Sequence, residues 1–219
     1  MCIQEGNATF SRTNVFLELT LADYALFIVR CILFGVAHSV FAANRTKQVF
    51  SRIDGKEPRL YRLFYNLASL AMFGWVMVSY RRSPLLYAAP GIWRWVFYAA
   101  QLVVAVAILR CVRQTGVGDF LGIKHLNSAI AQPRKLVTSG CYARVRHPLY
   151  LYSTLFLILN PVMSARWFLL TTFSFAYFIL GGLIEERRLL NEFGDEYRRY
   201  RQHVPFMIPS VKGTWQRDM

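Results

Sequence analysis

Long apolar blocks, each close to the length a helix needs to cross a bilayer, constrain this chain more than any motif it carries. A membrane-spanning helix takes about 20 predominantly apolar residues. The stretches 24–43, 63–80, 92–109, 149–163 and 167–184 meet or approach that length, and the charge sits between them. The pattern predicts an all-α integral membrane protein with about five transmembrane helices. Arg30 and His38 interrupt the first block, so that helix needs a protein-facing side. Asn160-Pro161 closes the short fourth block, which makes the last two spans a C-terminal helical hairpin with its tip over 160–166.

The basic residues fix an expected orientation. Of 26 Lys and Arg, against 12 Asp and Glu, 20 lie in the first and third connections and the tail, and 5 lie in the N-terminus, the second connection together with Arg94 in the first turn of the block after it, and the hairpin tip. Basic connections stay on the cytoplasmic side. The tail is therefore expected on the cytoplasmic side of the membrane and the N-terminus outside. A net charge of +14 also raises nucleic-acid binding, but no segment between the blocks is long enough to fold into a basic domain. The expected surroundings are lipid, with no nucleic-acid partner.

Acidic Glu5 and Glu18 precede the first block, unlike the basic start of a cleaved signal, so the block reads as a retained anchor. Cys2, Cys31, Cys111 and Cys141 form no CxxC pair and have no His at zinc-ligand spacing. All four are read as incidental, with no metal site. No repeat or separating linker is evident, so 1–219 reads as one domain, three spans over 1–109 and a loop, hairpin and tail over 110–219.

Polar chemistry concentrates at the ends of the hairpin. Gly140 to Tyr150 runs through Arg144, Arg146 and His147 into Pro148, a residue suited to a helix's first turn. Backbone N–H groups at that start, with Arg146 and His147, suit an anion; the plainer reading makes the arginines positive-inside anchors. Glu185-Glu186 follows the fifth span, which the hairpin returns beside Arg146. The two acids either pair with arginines as structure or, with the helix start, hold a ligand bearing a carboxylate and an amine. Beyond them Phe193, Tyr197, Tyr200 and Val204 form an apolar stripe at helical spacing, predicting an amphipathic cytoplasmic tail helix that lies on the membrane or packs on the loops.

These residues carry a resemblance. Gly140 to Tyr150, Asn160-Pro161, Glu185-Glu186, Glu192-Phe193-Gly194, and Tyr197, Tyr200, Val204 and Pro205 resemble the C-terminal signature of integral-membrane methyltransferases related to isoprenylcysteine carboxyl methyltransferase and phospholipid methyltransferases. Upstream, His38-Ser39 with Lys47, Tyr61-Arg62-Leu63 and Tyr65-Asn66 resemble the bacterial branch of methanethiol S-methyltransferase and NnrU proteins. The resemblance implies S-adenosylmethionine as cofactor, with Leu136 and Val137 on its adenosine side, Tyr142, His147, Pro148 and Tyr150 in contact, and Glu185 and Glu186 holding polar groups. Arg146 and His38 are the candidate catalytic groups, favouring a thiolate acceptor, although the plainer reading of His38 is a buried histidine hydrogen-bonded between helices. Asn66 and Asp119 are candidate substrate contacts; Asp119 would equally cap a loop helix.

One departure bears on the acceptor. Prenylcysteine-specific members carry an arginine four residues before the first of the two acids, where this chain has Gly181. The expected acceptor is a small apolar molecule, preferentially a thiol. Lipid or isoprenylcysteine carboxyl methylation, a sterol-type reductase binding a nicotinamide nucleotide, and a non-catalytic NnrU-like accessory role are the alternatives.

Overall fold

A computed structural model describes residues 4–43, 46, 49, 61–79, 83–117 and 135–209. Its elements are α1 (Gln4–Ala42), α2 (Tyr61–Val78), β1 (Leu85–Ala88), α3 (Gly91–Thr115), a 3-10 turn (Gly140–Ala143), α4 (Pro148–Ile158), β2 (Val162–Ser164) and α5 (Ala165–His203). The chain is an integral-membrane helical protein. Leu21–Ala42, α3 and α5 are long and apolar enough to cross a bilayer, while Leu63–Val78 and α4 are shorter apolar helices. The eleven residues of α4 rise only about 17 Å at 1.5 Å each. The expected fourth span is thus a short helix continued by the extended turn into β2.

Local chemistry explains the boundaries. Pro148 opens α4 from an N-cap at His147. The Ser164 side chain caps α5 by accepting from the Trp167 N–H at 3.3 Å. Gly194, with φ of 53°, bends α5 and divides the span from the tail helix, a backbone conformation open to glycine.

Packing places α1 against α2 and α5, and α4 between α3 and α5. Phe27, Cys31, Val76 and Leu170 form the core where α1, α2 and α5 meet. Gly35 permits the close approach of α1 and α5, since a Cβ there would lie 3.1 Å from the Phe173 ring. Along α3, Ile92, Trp93, Trp95, Leu102, Val103 and Leu109 are exposed. A continuous apolar face of this kind is the lipid-contacting surface expected of a spanning helix.

Two features depart from the sequence reading. The turn regions 85–88 and 162–164 pair as an antiparallel ribbon, so the hairpin tip carries a small sheet in an otherwise helical fold. Beside it the buried Arg166 donates to the Ser79 carbonyl, pairs with Asp23 at 3.3 Å and lies over the Tyr24 ring. One guanidinium thereby ties α1, α2 and the hairpin together. The cysteines are the second departure: Cys111 and Cys141 form a disulfide, whereas Cys31 is free and buried. The bond depends on the chain folding the 3-10 turn back onto the end of α3, which a separation of 30 residues does not announce.

Candidate functional site

The segment entering α4 is held by the tail. The Arg146 N–H donates to the Pro205 carbonyl at 2.9 Å, and the His147 N–H to the Phe206 carbonyl at 3.1 Å. The Arg146 guanidinium donates to Glu186 Oε1 at 2.6 Å, to the Arg201 carbonyl at 3.0 Å and to the Val204 carbonyl. Cationic donors suit the unpaired carbonyls at a helix end. Glu186 is buried and also faces Arg201 at 3.4 Å. Of the two readings of the acidic pair, Glu186 thus follows the structural one, and Arg146 is engaged with it rather than open to an anion.

Glu185 sits differently. Its side chain is 36% exposed, and it accepts from the Tyr150 hydroxyl at 3.0 Å, with His147 Nδ1 3.8 Å away. The His147 and Tyr150 rings stack at 5.3 Å, Tyr150 stacks on Phe178 at 5.2 Å, and Phe206 packs tilted against His147 at 4.7 Å. His147 Nε2 is buried with no hydrogen-bond partner among the described residues, although Glu186 Oε1 lies 3.4 Å from it. Burial holds the His147 pKa below its ordinary value, against the opposing pull of Glu185 and Glu186. Tyr142 is pushed up to about 12 by burial and by Glu185. The hydroxyl of Tyr200 donates to the Tyr142 carbonyl at 2.6 Å, fixing that turn against the tail.

Glycines make room for this stack. A Cβ on Gly182 would meet the Phe206 ring at 2.7 Å and the Tyr150 ring at 3.5 Å, whereas one on Gly181 would approach only the Tyr150 hydroxyl, at 3.8 Å. Pro148 is buried and Val137 half-buried beside the segment. Leu136 and Phe193 pack against the buried Tyr197, Tyr200 and Val204. The buried part of the tail stripe thus packs with a loop residue.

A second polar group lies within the helices. His38 Nδ1 is 3.0 Å from Ser69 Oγ, and His38 Nε2 is 2.7 Å from the Tyr65 hydroxyl. Tyr177 stands 6.1 Å from the His38 ring and shares a 2.9 Å hydrogen bond with Ser39. Its neighbour Phe178 is the ring on which Tyr150 stacks, so an aromatic run joins the two polar groups across α5. Asn66 is half-buried on α2, and Asp119 lies outside the described residues. Tyr177, Phe178, Ser69 and Phe206 escaped the sequence reading. Phe178 stands two helical turns before Glu185, a spacing that offered a signal. No cluster of three or more metal-ligating side chains occurs among the described residues.

Fold and site together define a helical membrane protein whose polar residues gather where α4 begins and the spanning part of α5 ends. The NnrU protein family matches residues 26–212, and the chain belongs to that family. Methanethiol S-methyltransferase 1 of Bradyrhizobium diazoefficiens is 31% identical over 200 residues, covering 85% of this chain and 65% of its own length. The chain thus spans just under two thirds of that relative. Methanethiol S-methyltransferase of Crocosphaera subtropica is 26% identical over 82% of this chain and 72% of its own. Human protein-S-isoprenylcysteine O-methyltransferase is 34% identical over 85 residues, 36% of this chain and 29% of its own. No solved structure matches the chain significantly.

Proposed function

We propose that this protein is a membrane methyltransferase that uses S-adenosylmethionine and methylates a small thiol at the cytoplasmic edge of the bilayer. The observation that carries the reading is the convergence of a half-exposed carboxylate, Glu185, with the Tyr150 hydroxyl and the stacked His147 ring, where the hairpin helices meet. The donor set fits a cofactor with an ammonium and a sulfonium. A carboxylate suits the first and aromatic walls suit the second. Glu185 would hold the ammonium, with Tyr142, His147, Pro148 and Tyr150 as walls and Val137 beside them. Leu136 and Glu186 support this site through the tail, and Arg146 positions it.

When bound, S-adenosylmethionine supplies a methyl group on an already activated carbon. The protein's task is then alignment and exclusion of water. The stack of Phe206, His147, Tyr150 and Phe178 covers one side with hydrocarbon. His38, held at both ring nitrogens by Ser69 and Tyr65, can take a proton at one nitrogen while donating at the other. That arrangement suits a group receiving a thiol proton, with Tyr65 as the relay and Asn66 beside it on α2. Gly181 does not supply the cation that an arginine at that position would offer an acceptor carboxylate, which supports a neutral thiol over a prenylcysteine.

The test is a product assay with purified protein in lipid, radiolabelled S-adenosylmethionine, a short alkanethiol and a prenylcysteine. The reading expects labelled thioether in excess of methyl ester. Ester alone would transfer the assignment to carboxyl methylation, and no product with no cofactor binding would favour a non-catalytic accessory role.

A further inference from the structure

The Cys111–Cys141 disulfide ties the end of α3 to the 3-10 turn, at the two ends of the third connection, which is basic in sequence. Cys111 is fully buried at the last turns of α3, while Cys141 is half-exposed in the 3-10 turn, one residue before Tyr142. Exposed Arg110, Arg113 and Arg144 flank the pair in sequence, and the half-exposed Cys141 sulfur is the one open to attack. A disulfide on a reducing face of the membrane is typically transient or redox-sensing rather than a permanent staple. The turn does not depend on the bond alone. The Cys141 N–H donates to Gln114 Oε1 at 3.0 Å, and the Tyr142 carbonyl accepts from Tyr200. Breaking the disulfide therefore loosens the Tyr142 wall without removing its other ties.

We propose that Cys111 and Cys141 are a reversible thiol–disulfide couple, exchanging with small thiols such as glutathione, that sets how firmly the Tyr142 wall closes on the candidate site. The effect on binding rests on the cofactor reading above and on the basic face being cytoplasmic. An incoming thiolate attacks the accessible Cys141 sulfur, the Cys111–Cys141 bond breaks, and Cys111 leaves as a thiolate that takes up a proton. A second thiolate attacks the mixed disulfide at the sulfur of the first, releasing Cys141 and a low-molecular-weight disulfide. Two thiols are oxidised, and the protein pair gains two electrons and two protons.

The test equilibrates full-length protein in nanodiscs with glutathione buffers of different poise. Thiols are counted by maleimide mass-tagging after acid quenching, and S-adenosylmethionine affinity is measured by calorimetry at each poise. Reduction is expected to add two taggable thiols and to weaken affinity by about fivefold or more, a usual scale for coupling between sites. The double variant Cys111→Ser/Cys141→Ser, which can neither close the bond nor take up glutathione, should bind like the reduced protein at every poise. No gain of thiols at a cytosolic poise, or equal affinity in both redox states, would overturn the proposal. If two thiols appear and vanish with poise while neither form binds the cofactor, the exchange couple stands and the cofactor reading falls.

Discussion

Replacing Arg146 by Met separates a latch from a reacting group. Arg146 and Glu186 are 9% and 5% exposed and meet at 2.6 Å, and the same guanidinium serves the Arg201 and Val204 carbonyls. Its loss strands a buried carboxylate and two helix-end acceptors. Breaking a buried ion pair on one side costs about 3–5 kcal/mol. Arg201 remains 3.4 Å from Glu186 but is half-exposed, so it offsets part of the loss, placing the expectation near the lower bound, about 3 kcal/mol. Glu186→Gln should cost a similar amount by leaving two arginines facing a neutral amide. The double variant Arg146→Met/Glu186→Met removes both charges, and similar apolar replacements of buried pairs are often neutral or stabilising. Urea denaturation in detergent micelles, followed by tryptophan fluorescence, should give lowered midpoints for both single variants and substantial recovery in the double. A fully stable Arg146→Met protein that loses only turnover would refute the latch and return Arg146 to the reacting centre.

Other expectations follow from the same geometry. Gly182→Ala should lower the denaturation midpoint, because overpacking costs about 1–3 kcal/mol and offsets a helix-propensity gain of about 1, whereas Gly181→Ala should be neutral or stabilising; equal behaviour of the two would contradict the Phe206 packing. Because burial depresses the His147 pKa, its contribution to stability is complete above the ordinary value of 6.5 and is lost as pH falls through the lowered one. The midpoint should therefore drop between pH 7 and 5 more in wild type than in His147→Gln, and identical pH profiles would count against this assignment. His38→Gln should reduce alkanethiol turnover by about a hundredfold with cofactor affinity preserved, and unchanged turnover would remove it from proton transfer.

The legible parts of the fold were those governed by length and period. Apolar block length marked the helices, Pro148 marked the start of α4, and the Phe193 to Val204 spacing marked the buried tail face. Contacts set by tertiary return were not legible. The β1–β2 ribbon needs two turns brought edge to edge, and the disulfide needs a fold-back from α3. Arg166 counted in sequence as one basic residue in a hairpin tip, yet it is a buried tie, because its role depends on Asp23 and Ser79 from distant elements. At the site, adjacency hid a division of labour. Glu185 and Glu186 are neighbours, but a helix sends consecutive side chains about 100° apart, so one meets Tyr150 and the other Arg146.

The central claim is that Glu185, beside Tyr150 and His147, forms a site for S-adenosylmethionine. Calorimetric titration of the full-length protein in nanodiscs, wild type against Glu185→Gln, tests it most directly. Losing a hydrogen bond to a charged group costs about 1.5–3 kcal/mol, so the account predicts saturable binding to wild type and roughly ten- to a hundredfold weaker binding to the variant. Equal affinity in both proteins, or no binding to either, would contradict it.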